Sequence, residues 1–403
     1  CGERRTKLPE RNPREDGMFL RFLLRIGRQT QKKFLRFILR FRWQMNKPSR
    51  DTGASFAPND ETKDLFAFQI HITEECDQRC EHCYIFAENN DVEIRRMSFD
   101  QIIETMNNCM DMCRKLNRDP YFYITGGDPI LHRDFWKFLE VLSENNIRFS
   151  IMGNPFHLNG EVCRRLSDLG CEKYQLSIDG MRETHDSIRK KGSFDATIEK
   201  IKDIKSAGMD CAIMTTVSGS NAKEMPDIID TVVKNHADIF SFSRYCPTGN
   251  GKSVGLTPEE YREVLDACWK RFEAHEESET WFDLKDHLWT LYLFEKGIFS
   301  IPDGLEDDVI YDGCNCGNCH LTILPDGNVY ACRRMESPVG NAFTESLYDI
   351  FTGDRMDCYR MYNDFKKCSK CELLRFCRGC PAVAFGETGD FYSADPQCWK
   401  VLP

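Results

Sequence analysis

LFAFQIHITEECDQRCEHCYIF, residues 65–86, passes from an apolar run of strand length (65–72) into a polar loop that carries Cys76, Cys80 and Cys83. The segment beyond it, SFDQIIETMNNCMDMCRKL (98–116), opens on a Ser cap and repeats apolar residues at helical spacing, with Ile102, Ile103, Met106, Cys109, Met110 and Cys113 on one face. Strand, loop and amphipathic helix then recur in that order. Strands are predicted at 121–125, 148–152, 173–178, 210–217 and 238–245, and helices at 134–146, 159–170, 194–208, 222–237 and 257–276. Six β/α units in series favour an α/β fold with a parallel sheet curved into a partial (β/α)6 TIM-type barrel; a doubly wound open sheet is the alternative. Ligands of such folds bind at the C-terminal strand ends, where the three-cysteine loop falls.

A chain of 403 residues buries enough core to dispense with cross-links, so its 21 cysteines require another reason. The apolar run near Met18–Leu24 is broken by Arg21 and precedes further basic residues, which does not read as a secretory signal, and no stretch approaches the roughly 20 apolar residues of a bilayer span. A cytoplasmic location is expected, where clustered cysteines serve as metal ligands more often than as disulfides. Residues 1–50 hold 15 Lys+Arg against 4 Asp+Glu, and the other 353 hold 39 against 60, so a basic arm precedes an acidic body. Phe34, Leu35, Ile38, Leu39 and Trp43 recur within the arm at helical spacing, the pattern of a basic amphipathic helix. It suits packing on the body, an acidic peptide or an anionic membrane surface. The expected organisation is a basic helical extension over 1–64, the barrel over 65–279, a linker over 280–313 and a cysteine-rich domain over 314–403.

Three thiolates can hold three irons of a four-iron cube and leave the fourth iron open for another ligand. CDQRCEHCY (76–84) resembles the CxxxCxxC motif of the radical S-adenosylmethionine (SAM) enzymes, with Tyr84 after the third cysteine and His82 where an aromatic is commoner. A structural zinc site would need His71 or His82 as its fourth ligand. Later motifs fall on successive strand ends. TGGDP resembles the family's GGEP-type motif, which implies that Gly126 and Gly127 let the backbone approach the SAM amine and that Asp128 accepts from it. By the same resemblance Asn154 in MGNP lies near SAM, Ser177 and Asp179 in QLSIDG suit the ribose hydroxyls, and Arg189 and Arg244 are candidates for the SAM carboxylate.

The C-terminal segment reads CX10GX4C (Cys316, Gly327, Cys332), then CX2CX5CX2C (Cys368, Cys371, Cys377, Cys380), then Cys398. It is similar to the SPASM extension of peptide-modifying radical SAM enzymes, in which PDGNVYAC (325–332) makes a β-hairpin and two auxiliary [4Fe-4S] clusters are bound. The resemblance implies an outer cluster on Cys368, Cys371, Cys377 and Cys398. An inner one falls on Cys316, Cys332 and Cys380 with Cys314 or Cys319 as fourth ligand. A zinc ribbon is the competing reading of the paired cysteines. Cys109, Cys113, Cys163, Cys171, Cys211 and Cys268 are expected in the core; Cys246 and Cys358 read as exposed spectators, with a loop thiol near substrate as the alternative for either.

The family implies reductive cleavage of SAM to a 5′-deoxyadenosyl radical that abstracts hydrogen from an unactivated carbon. The expected substrate is a ribosomally synthesised precursor peptide and the expected product a thioether or carbon–carbon crosslink. An electron donor such as flavodoxin or ferredoxin is implied, and no nucleic acid. Anaerobic sulfatase maturation, which makes formylglycine, is the alternative, but those enzymes commonly place Asp where this chain has Arg333. A non-enzymatic iron–sulfur or zinc protein is the third reading.

Overall fold

The computed structural model describes residues 65–86, 93–247, 255–305 and 309–402; the basic arm lies outside the described residues. Seven strands lie side by side in chain order, each parallel to the next: β1 (Leu65–Thr73), β2 (Asp119–Gly126), β3 (Arg148–Met152), β4 (Cys171–Ser177), β5 (Asp210–Val217), β6 (Ile239–Arg244) and β7 (Trp281–Asp283). The crossovers are α1 (Phe99–Leu116), α2 (Phe135–Glu144), α3 (Gly160–Asp168), the pair α4 (Arg182–Ile188) and α5 (Ser193–Ser206), α6 (Met225–Lys234) and α7 (Pro258–Ala274). Local chemistry sets the helix starts. Ser98 and Gln101 exchange side-chain-to-backbone bonds in a capping box, as do Thr257 and Glu260, while the Asn159 side-chain Oδ1 accepts the amides of Glu161 and Val162.

Side chains alternate along a strand, and the two faces differ in kind. One row packs beneath the helices and is fully buried: Phe66, Phe68 and Ile70 on β1, Phe122 and Ile124 on β2, Phe149 and Ile151 on β3. Each such side chain removed from water contributes about 1.5–3 kcal/mol. The opposite row faces the lumen and carries polar groups such as Gln69 and His71 on β1, Gln175 and Ser177 on β4 and Thr216 on β5. The partial barrel expected from the six-unit pattern is therefore what forms.

The chain departs from the sequence reading after residue 280. The segment expected as a linker supplies β7 and the helix Leu288–Glu295, whose residues Leu288 to Leu293 are all buried. A three-residue strand shows no alternation, and a helix that is apolar all round shows no 3.6-residue period. The predicted hairpin is present as β8 (His320–Ile323) and β9 (Asn328–Tyr330), with Gly327 in the turn at φ +82° where a Cβ would strike the Phe343 ring. It does not stand alone. β8 pairs parallel with β1, and β10 (Pro338–Asn341) pairs antiparallel with β9, giving one sheet in the order β10-β9-β8-β1-β2-β3-β4-β5-β6-β7. No helix among the described residues is long and apolar enough to cross a membrane.

Candidate active site

The three-cysteine loop follows β1 and is pinned to the end of β2. The Gly127 amide donates to the Thr73 carbonyl at 2.8 Å and the Asp128 amide to the Glu75 carbonyl at 2.7 Å. Gly126, at φ +140°, and Gly127 permit this approach, since a Cβ on either would fall within about 2 Å of the Thr73 or Glu75 carbonyl oxygen. The glycines thus bring two protein loops together, where the sequence reading assigned that close approach to the SAM amine. Cys76, Cys80 and Cys83 are each half-buried. Cys76 Sγ accepts from Asn154 Nδ2 at 3.3 Å and from the Gln78 amide at 3.4 Å. Burial pushes the Cys80 thiol up to about 12, with Arg189 opposing. A sulfur such as that of Cys80 stays protonated until a cation takes the proton's place, which is the chemistry of a metal ligand.

Beside the triad is an unpaired acid. Asp128 is fully buried, and neither carboxylate oxygen makes a hydrogen bond of ordinary geometry, although the Asn154 and Ile130 amides are near. Burial raises its pKa to about 7. One ligand atom each from Asp77, Asp128 and His157 gather within 4.8 Å of one another. Asn154 Nδ2 donates to Asp77 at 3.0 Å and Lys190 Nζ lies 3.3 Å from it. A buried carboxylate without a partner next to three thiols fits a group that brings its own positive charge, as the SAM ammonium does.

Asp179 sits otherwise than expected. It is fully buried, accepts the Thr216 amide at 2.8 Å, pairs with the Arg189 guanidinium and has His82 Nε2 at 3.5 Å. Despite burial, Arg189 and His82 hold its pKa below the ordinary carboxylate value. A carboxylate so engaged positions Arg189, whose Nη1 reaches to 3.9 Å from Cys80 Sγ, where the sequence reading assigned the carboxylate to the ribose. Ser177, half-buried in the lumen row opposite Met214, does not join it. Arg244 is also corrected. Its guanidinium is buried and donates to Asp286 (2.9 Å), to Asp395 through both Nη1 (2.7 Å) and Nη2 (2.8 Å), and to Gln397 (2.8 Å). That fork locks the end of β6 to the C-terminal domain and leaves it unavailable to a SAM carboxylate.

The auxiliary cysteines form two groups. Cys368, Cys371, Cys377 and Cys398 are neighbours, as are Cys314, Cys316, Cys332 and Cys380. Cys319 lies near Tyr123, with its carbonyl accepting the Ala67 amide at 3.0 Å. The six cysteines expected in the core are buried.

The lumen holds residues that the motifs did not single out. Arg333, just past Cys332, lays its guanidinium 4.0 Å from the Tyr84 ring centre, and His71 is 6.0 Å from the same ring. Among the described residues the buried Arg333 Nε has no hydrogen-bond partner. Burial, with Gln69 and Arg333 opposing, pushes the Tyr84 phenol up to about 12. Lys285, open to the lumen yet walled by protein, has its pKa lowered by desolvation, and Nζ stands 3.9 Å from Met214 Sδ. Desolvation likewise lowers His320 to about 4 and His71 well below its ordinary value, so both are neutral near pH 7. The charges facing this space include Arg333 and Lys285, with Asp283, Arg334 and Lys173 near the latter. Arg333 was visible only as a residue out of place after Cys332, and Lys285 carried no signal.

Comparison with known proteins agrees with this geometry. Residues 70–232 match the radical SAM superfamily, and residues 314–381 match the SPASM iron–sulfur cluster-binding domain. The chain is 25% identical over 341 residues to the AdoMet-dependent heme synthase of Oleidesulfovibrio alaskensis, covering 81% of this chain and 85% of that protein. It is 26% identical over 340 residues to the mycofactocin maturase MftC of Mycobacterium ulcerans, covering 81% and 86%. Among solved structures, Streptococcus suis SuiB bound to S-adenosylmethionine superposes with a TM-score of 0.65 at 19% identity, over 84% of this chain and 78% of that one. SuiB is also known in complex with its precursor peptide SuiA. With a cysteine triad on the first strand end of a partial barrel and two further thiol groups behind it, the chain is a radical SAM enzyme with a C-terminal SPASM domain, and its cofactors are S-adenosylmethionine and [4Fe-4S] clusters.

Proposed function

We propose that this enzyme matures a ribosomally made peptide by forming a thioether or carbon–carbon crosslink within it. When bound, the cluster and SAM supply hydrogen-atom abstraction from an unactivated carbon; the residues of the chain position substrate and exclude water. Cys76, Cys80 and Cys83 would hold the SAM-binding cluster, Asp128 would meet the SAM ammonium and Arg189 its carboxylate, with Gly126, Gly127, Asn154 and Tyr84 beside them. The observation that carries the reading is Arg333 over Tyr84, which makes the SPASM hairpin a wall of the lumen that also holds the SAM site. A polar lumen walled by both domains suits a peptide segment, and the similarity to MftC and to the peptide-bound SuiB supports that class. A guanidinium cannot serve as general base at neutral pH, which weighs against formylglycine formation at this position. An electron donor of the flavodoxin or ferredoxin type completes the system, and the basic arm suits recruitment of an acidic leader or contact with a membrane surface.

A second reading has a specific observation behind it. Arg333 and Lys285 suit substrate carboxylates, and a heme synthase is among the relatives, so a macrocycle with acidic side chains is the competing substrate. The test incubates reconstituted enzyme, SAM and reductant separately with the short peptide encoded beside its gene and with a carboxylated iron porphyrin, and reads products by mass spectrometry. Loss of two hydrogens per crosslink from the peptide supports the maturase reading. A mass change in the porphyrin alone overturns it.

Arg333→Gln removes one charged hydrogen-bond donor from the lumen. It should raise KM for the accepted substrate about tenfold, the loss of roughly 1.5 kcal/mol of charge-assisted bonding, with kcat changed far less. An equal fall in kcat at unchanged KM would place Arg333 in the chemical step.

A further inference from the structure

Cys246 lies two residues past Arg244 and was expected as an exposed spectator, yet it is 7% exposed and its thiol is in hydrogen-bonding contact with Cys380. Three separate features fix it there. Asp395, which takes the Arg244 fork, also accepts the Cys380 amide at 2.7 Å. Arg334 donates to the Arg244 carbonyl oxygen and places Nη1 3.7 Å from Cys380 Sγ. Pro247 lies so close to the helix Pro381–Thr388 that a Cβ on Gly386 would come within 2.4 Å of the Pro247 carbonyl oxygen. Residues 244–247 are thus held against 380–386, with the Cys246 thiol on Cys380 between them.

The neighbouring charge says which thiols belong together. The half-buried Arg334 guanidinium has the sulfurs of Cys246, Cys380 and Cys332, together with the Asp286 carboxylate, as its acidic neighbours. A cation among three thiols favours an anionic occupant, and a thiolate-ligated iron–sulfur cube is one. Cys314 approaches Cys332 and Cys380 from the SPASM loop, and its sulfur accepts the Cys316 amide at 3.5 Å.

We propose that Cys246 is a ligand of the inner auxiliary cluster, which is then held by both domains: Cys316, Cys332 and Cys380 from the SPASM domain and Cys246 from the end of β6. Each thiol gives its proton to solvent as it takes an iron. The inference depends on the auxiliary clusters and is independent of the substrate.

The test uses the full chain, reconstituted anaerobically, as wild type and as Cys246→Ala, Cys246→Ser, Cys314→Ala and Cys319→Ala. Iron and acid-labile sulfide are quantified, and EPR spectra are recorded after reduction. Cys246→Ala should lose up to about four of roughly twelve irons or replace one auxiliary EPR signal with that of an incomplete cluster, while Cys319→Ala matches wild type. Cys246→Ser keeps the side-chain volume and offers oxygen for sulfur, so it should shift the same signal even if the Ala variant folds poorly. Wild-type iron, sulfide and EPR in both Cys246 variants would overturn the assignment, as would loss of the inner signal in Cys314→Ala alone.

Discussion

Asp128→Asn should melt at a higher temperature than wild type at pH 8 and bind SAM at least about tenfold more weakly, two effects of opposite sign from one change. Asp128 is an acid whose folded-state pKa, about 7, lies above its ordinary value of 3.8 because it is buried without a partner. Its ionised form therefore opposes folding. The penalty is fully present above pH 7, shrinks as pH falls through the range between the two values, and is absent below them. Each pKa unit is worth about 1.4 kcal/mol, so the ceiling is on the order of 4 kcal/mol, and relaxation of the pocket will reduce it. Asparagine keeps the shape and carries no charge, so the variant should gain stability at pH 8 and little at pH 4. For the ligand the sign reverses. An ammonium needs the ionised carboxylate, so wild-type SAM affinity should fall about tenfold per pH unit below 7, while the variant's stays flat. Thermal melts and anaerobic calorimetry across that range read both effects. Unchanged stability at pH 8 would show that Asp128 is solvated, and unchanged SAM affinity would remove it from the SAM pocket.

Arg244→Met should destabilise the folded chain by about 3–5 kcal/mol, the cost of stranding buried carboxylates when their cation is removed. The methionine fills most of the space, but Asp286 and Asp395 are then left facing each other in a site with 1–2% side-chain exposure. In wild type, Arg244 holds the Asp286 pKa below its ordinary value against the desolvation that would raise it. That contribution to stability is present above the ordinary aspartate range and is lost as pH falls through the depressed folded value. Without the arginine, only His287 and the Leu288 amide still oppose the desolvation of Asp286, so the variant's deficit should be larger at pH 8 than at pH 5. Equilibrium unfolding at the two pH values checks this. A loss under 1 kcal/mol, or one independent of pH, would mean that water enters and solvates the pair. Arg244→Lys should recover little, because one ammonium cannot reproduce a fork that bonds Asp286, Asp395 and Gln397 together.

What the sequence revealed and what it hid divide along physical lines. Strands of five to nine residues backed by amphipathic helices announce themselves, because burial of one face imposes a period; β3 and β5 fall on their expected residues. The cysteine triad and the SPASM spacing were legible because metal chemistry tolerates few residue types. Arg189 was placed near the triad by its motif, but Arg244, equally basic and equally at a strand end, was misread. Its partners Asp286 and Asp395 lie 42 and 151 positions downstream, and no local pattern reports a pairing at that distance. Asp179 was misjudged likewise, since its nearest consumer, Arg189, was itself assigned elsewhere. Arg333, Lys285 and Cys246 belong to the same class: their roles come from what three-dimensional closure sets opposite them.

The pairing of β8 with β1 bears on how the chain is made. Ala67 emerges about 250 residues before its partner His320, so the outer edge of β1 remains bare while the rest of the barrel is made. An exposed apolar edge is a template for pairing with other chains. Ribosome-bound intermediates of this protein should therefore depend on holding chaperones until residue 323 has cleared the exit tunnel, and a barrel released before β8 is made should aggregate even though each of its own β/α units is complete.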